Sequence, residues 1–147
     1  MGDGSFNLEA KKVAIIDERS EIAASVNGIP QHDVGLRTDV MDACPKTAGL
    51  MMMIRSMSPD VIIVDEIGKK ADVEALIDAL FAGVNIICTL HGSHLSEVQN
   101  RPSLHMLFAG NVFDRFIVLE RRTQAQFLMT VLDQNETVLY ETRCHVL

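Results

Sequence analysis

Short runs of apolar residues recur along the chain and are separated by segments with helical periodicity. Uninterrupted apolar runs predict strands at four places, residues 11–18, 60–66, 84–92 and 113–122. Residues 124–133 and 137–147 instead alternate between apolar and polar positions around a short polar turn. This alternation predicts a β-hairpin at the end of the chain.

Helical periodicity is clearest in residues 69–84. Val73 begins an apolar series at i, i+3, i+4, i+7 and i+8, and Gly83 is suited to end the helix. A second helix is predicted over residues 46–58, with Pro59 marking its end.

The segments between these elements carry weaker patterns. Residues 93–110 predict two short helices interrupted at Pro102, and residues 20–25 predict a single helical turn. Residues 27–45 contain Gly, Pro and Asp at short intervals with little periodicity, which indicates a long functional loop.

Strands thus alternate with helices, and the internal strands are apolar on both faces. This pattern predicts the α/β class, with a mostly parallel sheet flanked by helices and a C-terminal β-hairpin. The length suits a single domain over residues 13–147, preceded by a lead-in over residues 1–12.

Composition narrows the function classes. The formal net charge of −7 argues against a general grip on nucleic-acid phosphates. The apolar runs fall far short of the roughly 18 residues that span a bilayer, and the polar start of the chain gives no secretory signal. We therefore expect a cytoplasmic protein without direct membrane insertion. Cys44, Cys88 and Cys144 are widely spaced, as free thiols in a reducing compartment are.

Polar side chains follow three of the predicted strands. In a parallel sheet, ligands bind at the carboxyl ends of the strands, so these residues are expected to converge on one edge. They are Asp17, Glu18, Asp65, Glu66, Thr89 and His91.

Two adjacent acid pairs at one edge repel each other unless a cation neutralises them. In a phosphate site, Asp65 would hold Mg²⁺ through water, and Glu66 would orient or deprotonate the attacking water. His91 would sense the γ-phosphate. His91 and His94 also have near-ligand spacing, but without a nearby third His or Cys a zinc site is disfavoured.

A phosphate-binding loop of the form G-x-x-x-x-G-K-[ST] is missing from the sequence. "VMDACPKT" has Val40 and Pro45 where both glycines must be, and proline lacks the N–H that would cradle a phosphate. "IVDEIGKK" has Ile63 for the first glycine and Lys70 for the hydroxyl.

The blocks "DVGLRTDV", "RSMSPDVIIVDEIG" and "AGVNIICTLHG" resemble the stage III sporulation protein AA family, over most of residues 11–122. More distantly, "IRSMSPDVIIVDEIG" followed by "TLH" resembles the Walker B segment and the His box of type II and type IV secretion ATPases. The resemblance implies a RecA-like ATPase with Asp65 and Glu66 as its Walker B acids, His91 in a His box, and Asp17 and Glu18 in an acidic box.

The same resemblance implies a biological setting. Such ATPases form ring hexamers. The family acts in the mother cell of endospore formers, where it powers or helps assemble a secretion-like channel facing the forespore, associated with membrane-embedded channel components. The implied cofactors are ATP and Mg²⁺, and Asp17, Asp65, Thr89 and Arg55 are the candidates for contacting them. Because the phosphate loop is missing, we expect it upstream in a longer protein and expect this chain alone to bind ATP weakly or not at all. The secretion enzymes also have Arg where Gly68 stands, so that arginine's role is not transferred.

Two other classes remain open. A phosphoacceptor receiver domain would use Asp65 as acceptor with Asp17, Glu18 and Thr89 around it, although it needs a Lys after a fifth parallel strand. A non-catalytic docking module would keep the fold without turnover.

An ATPase of this kind also uses an arginine finger. The candidates are the loop and helix cations Arg37, Arg55, Arg101, Arg121 and Arg122.

The missing strand of a RecA-like sheet would leave residues 84–92 with an open edge. Unpaired buried backbone groups are costly, and an open apolar edge recruits other strands. We therefore predict that residues 113–120 pair beside this strand, or that a second chain supplies a strand.

Overall fold

The computed structural model describes residues 9–145, which form two compact units that meet in sequence at His91 and Gly92. The predicted lead-in lies mostly outside the described residues, as do the last two residues of the predicted hairpin. The prediction of one domain over residues 13–147 stays a prediction, and each unit is described by itself.

The first unit is an α/β layer with a four-stranded, all-parallel sheet in the order β2-β1-β3-β4. Its elements in chain order are β1 (Val13–Asp17), β2 (Thr38–Asp42), α1 (Lys46–Met57), β3 (Val61–Val64), α2 (Lys70–Phe81) and β4 (Asn85–Cys88). Val and Ile dominate β1 and β3, the central strands, because β-branched side chains pack well in strands that are largely buried.

Both helices of this unit cover the same face of the sheet. Helix α1 contacts β1 and α2, and α2 contacts β4. The core between them consists of fully buried aliphatic side chains, including Ile16, Leu50, Ile62, Val73 and Leu76. The two helices and both central strands were predicted from the sequence, and their apolar periodicity is what fills this core.

Gly49 allows α1 to approach β1 closely. A Cβ atom at this position would lie 2.9 Å from Cγ2 of Ile16 and 3.4 Å from the sulfur of Met41. The helix therefore packs its backbone, rather than a side chain, against the centre of the sheet.

We expect Gly49→Ala to lower the free energy of unfolding by about 1–2 kcal/mol, because overpacking outweighs the better helix propensity of alanine. Gly68→Ala is the matched control, since a Cβ there meets nothing within 4 Å. Urea unfolding measures both variants. Equal stabilities for the two would show that the helix can shift away from β1 without cost.

Two sequence predictions for the first unit are wrong. Residues 20–25 form bends and irregular backbone rather than a helical turn, because the carboxylate of Asp17 binds the backbone N–H groups there. Within residues 27–45, which were interpreted as a loop, Thr38–Asp42 forms edge strand β2. An edge strand needs only one partner, so β2 forms without the long apolar run that marks a central strand.

The second unit begins with two short helices, α3 (Leu95–Gln99) and α4 (His105–Ala109), as predicted. Three antiparallel strands follow in the order β5-β6-β7, namely β5 (Arg115–Arg121), β6 (Gln126–Asp133) and β7 (Val138–His145). The predicted hairpin corresponds to β6 and β7. In this unit the half-buried side chains of Phe108, Phe113 and Phe116 pack against one another, with ring centroids 6.0–6.2 Å apart.

The predicted pairing of residues 113–120 beside the β4 strand is wrong. Strand β5 pairs with β6, and among the strands that the structure describes β4 pairs only with β3. A short connection to an antiparallel neighbour has a lower loop-closure cost than a distant parallel pairing. Closure of the β4 edge by a second chain stays a prediction. A fifth parallel strand bearing a Lys, as a receiver domain requires, is also not among the described strands.

The cysteine side chains and the helix lengths bear on the compartment and on membrane insertion. All three cysteines are free thiols, and burial raises the pKa of Cys88 to about 12, so this thiol stays protonated and unreactive. Between residues 9 and 145, every helix is too short or too polar to cross a bilayer.

Candidate functional site

Asp17, at the end of β1, is fully buried and anchors the loop that follows it. Its Oδ1 accepts a hydrogen bond from the backbone N–H of Glu21 at 2.8 Å, and its Oδ2 accepts from Ile22 and Ala23 at 3.0 and 2.8 Å. Both carboxylate oxygens are thus used within the protein. The predicted contact of Asp17 with a cofactor stays a prediction, and the observed bonds give it a structural role.

Asp65 follows β3 and is only 5% exposed. Neither of its carboxylate oxygens has a hydrogen-bond partner within the described residues. A buried carboxylate without hydrogen bonds is costly, and a cation compensates for that cost. Asp65 therefore fits the predicted Mg²⁺ contact.

Lys46, the first residue of α1, places its ammonium between two of the predicted acids. It forms an ion pair and hydrogen bond with Glu18 Oε2, and its Nζ lies 3.4 Å from Oδ1 of Asp65, an ion-pair distance without a hydrogen bond. Burial disfavours the charged lysine, but the bond to Glu18 and the charge of Asp65 outweigh it and raise the pKa of Lys46. The same hydrogen bond lowers the pKa of Glu18.

Glu66 presents its carboxylate to solvent, with its side chain 41% exposed and ion-paired to Arg19. Its backbone adopts the left-handed region, with φ of 37°, which is uncommon for a residue other than glycine. Thr89 holds this turn: its hydroxyl accepts from the Glu66 N–H at 2.8 Å, and its carbonyl accepts from the Ile67 N–H at 2.9 Å. Strands β3 and β4 are therefore joined beyond their last ladder pair.

His91 is exposed and lies two residues beyond Thr89 on the same stretch of chain. Within residues 9–145, His, Cys, Asp and Glu side chains form no group of three that could hold a metal by themselves. This gives no support to zinc at His91 and His94. Mg²⁺ differs from zinc in this respect, because it is commonly held by one or two carboxylates, water and substrate phosphates.

The structure does not bring Arg55 to this edge. Arg55 lies in the last turn of α1, whereas Lys46 at the start of the helix reaches the acids; the nine-residue separation is about 13 Å along the axis. The other arginines considered have local partners: Arg37 with the carbonyl of Ala10, Arg101 with Glu97, Arg121 with the ring of Phe127, and Arg122 with Glu120.

Lys46 and Arg19 are the site residues that the sequence did not reveal. In the sequence, Lys46 belongs to an incomplete phosphate-loop match, and Arg19 stands among the acids of residues 17–21. A signal was present for Lys46, because a lysine at the first position of a helix faces the positive end of the helix dipole. Nearby carboxylates offset this unfavourable interaction.

Comparison with solved structures defines the class of this fold. The chain matches the X-ray structure of the Legionella pneumophila ATPase DotB with a TM-score of 0.55, over 84% of this chain and 37% of that one, at 17% sequence identity. The fold is RecA-like: a mostly parallel sheet flanked by helices, with an added antiparallel sheet.

The chain belongs to the family described as "Sporulation stage III, protein AA", whose model matches residues 1–139. It is 50% identical to "Stage III sporulation protein AA" of Bacillus subtilis over 95% of its own length and 45% of that protein. It is also 32% identical to "Uncharacterized protein ycf45" of Porphyra purpurea and 28% identical to "Protein SEEDLING PLASTID DEVELOPMENT 1" of Arabidopsis thaliana, over 68% of this chain and 18% and 15% of those proteins. The chain thus spans less than half the length of these relatives.

Proposed function

We propose that this chain forms the acidic side of a Mg²⁺–ATP site in an ATPase that functions in endospore formation. The observation that carries the proposal is Asp65, a buried carboxylate with no hydrogen bond to either oxygen, at the carboxyl edge of a parallel sheet. This is the edge at which such sheets bind ligands. The family and the RecA-like fold support the same assignment.

The proposed roles follow from exposure and bonding. Asp65 would hold Mg²⁺ through water, and the ion, when bound, would neutralise charge on the phosphate oxygens. Glu66, the more exposed acid, accepts a proton from or orients the attacking water, with Arg19 fixing its carboxylate. His91 contacts the γ-phosphate, and Thr89 keeps Glu66 in place through the backbone.

In this proposal, the groups that bind the triphosphate come from outside these 147 residues. Backbone N–H groups of a glycine-rich loop and its lysine provide most of the binding to triphosphate. Neither partial match in the sequence has both of the required glycines. The Bacillus subtilis relative has more than half of its length beyond the matched region, which leaves room for such a loop.

We further propose that the ATPase works as a ring hexamer in the mother cell and couples hydrolysis to assembly of, or transport through, a secretion-like channel. Its partners would be membrane-embedded channel components, which would hold it at the forespore-facing membrane. The support is the sporulation family together with the fold shared with the ATPase DotB. In a ring, a neighbouring subunit would have access to the edge of β4 that pairs with no other strand among the described residues.

Calorimetry with Mg·ATP tests the site. The 147-residue chain should show no micromolar binding, because the phosphate grip is missing, whereas the full-length Bacillus subtilis relative should bind. Asp65→Asn at the aligned position of the relative should weaken Mg·ATP binding at least about tenfold, as expected for losing a charge next to the ion.

The matched control is Asp39→Asn at its aligned position, which removes the same charge from an exposed site on β2. Micromolar binding of Mg·ATP to the 147-residue chain would contradict the proposal that the triphosphate-binding groups lie outside it. Equal affinities for the Asp65 and Asp39 variants would contradict the assignment of the cation contact.

A further inference from the structure

Lys46 is the most deeply buried cation described in the first unit, with its side chain only 6% exposed. Two carboxylates compensate its charge, one through a direct hydrogen bond to Glu18 and one through the 3.4 Å approach to Asp65. Burying an ammonium is costly unless it is paired, so these two acids are what keep Lys46 inside.

Helix α1 does nothing to favour a lysine at this position. Lys46 is its first residue, the first turn contains no acidic residue, and the preceding Pro45 makes no side-chain capping bond. The positive end of the helix dipole repels the ammonium. The position of Lys46 is therefore determined by the acids at the edge of the sheet and not by the helix.

Asp65 shows that this pairing is incomplete. Lys46 donates a hydrogen bond to Glu18, while both oxygens of Asp65 remain without a hydrogen bond. A divalent cation would bind the same carboxylate, and two positive groups beside one carboxylate repel each other.

We propose that the ammonium of Lys46 competes with a divalent cation for the carboxylate of Asp65, so that the site disfavours free Mg²⁺. This inference rests on the proposed function, in which Asp65 is the cation contact. A nucleotide brings phosphate oxygens together with its cation. Those oxygens offer the ammonium an alternative partner, which relieves the repulsion. Lys46 thereby makes the site select a cation that arrives with phosphate over the free ion, and by linkage cation binding loosens Lys46.

Mn²⁺ titration of the 147-residue chain tests the competition, with free Mn²⁺ measured by electron paramagnetic resonance. Lys46→Met should bind Mn²⁺ at least about tenfold more tightly than the unsubstituted chain, because a unit charge close to the ion is removed. Lys70→Met is the matched control. It removes the same charge from an exposed lysine paired with Glu74, and it should leave the affinity unchanged within about twofold.

Adding Asp65→Asn to Lys46→Met should abolish the gain. Equal Mn²⁺ affinity in the Lys46→Met and Lys70→Met chains would overturn the competition, as would a gain that survives Asp65→Asn. The ATP-binding experiments on the full-length relative do not depend on this result, so failure of the inference and failure of the proposed function are distinguishable.

A measurement on the unsubstituted chain guards against a variant that does not fold. Acetylation by acetic anhydride, quantified for each lysine by peptide mass spectrometry, should modify Lys46 slowly without metal. Saturating Mn²⁺ should increase the Lys46 rate severalfold and leave exposed Lys70 unchanged. A Lys46 rate that stays constant or falls at saturating Mn²⁺ would overturn the proposal.

Discussion

Glu66→Gln, introduced at the aligned position of the full-length Bacillus subtilis relative, is expected to slow ATP hydrolysis at least about 100-fold while nucleotide binding persists. This is the usual scale for losing a positioned general base. Glutamine keeps the size and the polar carbonyl of the side chain but accepts no proton. Glu66 is assigned this role because its carboxylate reaches solvent, its backbone is fixed, and it directly follows Asp65, the proposed contact of the ion. Steady-state phosphate release and equilibrium nucleotide binding separate the two effects.

Glu74→Gln is the matched control for this substitution. Glu74 is an exposed glutamate on α2, paired with Lys70 at i,i+4, and its loss should leave turnover within about twofold of the unsubstituted rate. Turnover of the Glu66 variant at the unsubstituted rate would transfer the role of base to another acid, with Glu18 or Glu21 as the first candidates.

Asp17→Ala is expected to destabilise the chain by about 3 kcal/mol or more. The substitution removes three hydrogen bonds to a charged acceptor, each contributing about 1.5–3 kcal/mol, and leaves the buried N–H of Ala23 and the partly buried N–H groups of Glu21 and Ile22 without that acceptor. Because these bonds shape the loop that carries Glu18 and Arg19, the site should lose its geometry together with its stability. Chemical unfolding monitored by circular dichroism gives the change in free energy.

Asp39→Ala provides the comparison, since it removes the same carboxylate from an exposed position on the neighbouring strand. We expect it to change stability by at most about 0.5 kcal/mol. A small loss for Asp17→Ala would show that water or a rearranged loop replaces the carboxylate, and the anchoring role would be wrong.

The sequence predicted those elements whose residues carry their own periodicity. Strands β1 and β3 are apolar without interruption, and α2 has an apolar stripe beginning at Val73, so their burial is determined locally. Strand β2 was not predicted because its apolar pattern is weak and its formation depends on pairing with β1. The partner of β5 was misassigned because pairing is a property of topology, and the antiparallel connection to β6 is shorter than any return to β4.

For the site, the residue types and their common edge were predictable, but their partners were not. The parallel sheet brings the acids of β1 and β3 to one edge, as their positions after the strands implied. The ion pairs made by Lys46 and Arg19 depend on side-chain directions in a loop and at a helix start, which no periodicity encodes. The hydrogen bonds of Asp17 were not predictable either. Their donors are backbone N–H groups, which no particular side chain in the loop identifies.

The two hydrogen bonds between Thr89 and the turn at Glu66 make the ends of β3 and β4 a single mechanical element. Glu66 is held at a backbone angle that is unfavourable without support, and the hydroxyl of Thr89 is part of that support. His91 lies only two residues further along the chain. A displacement of His91 is therefore transmitted through Thr89 to the main chain of Glu66. The residue proposed to detect the terminal phosphate and the residue proposed to activate water thus move together.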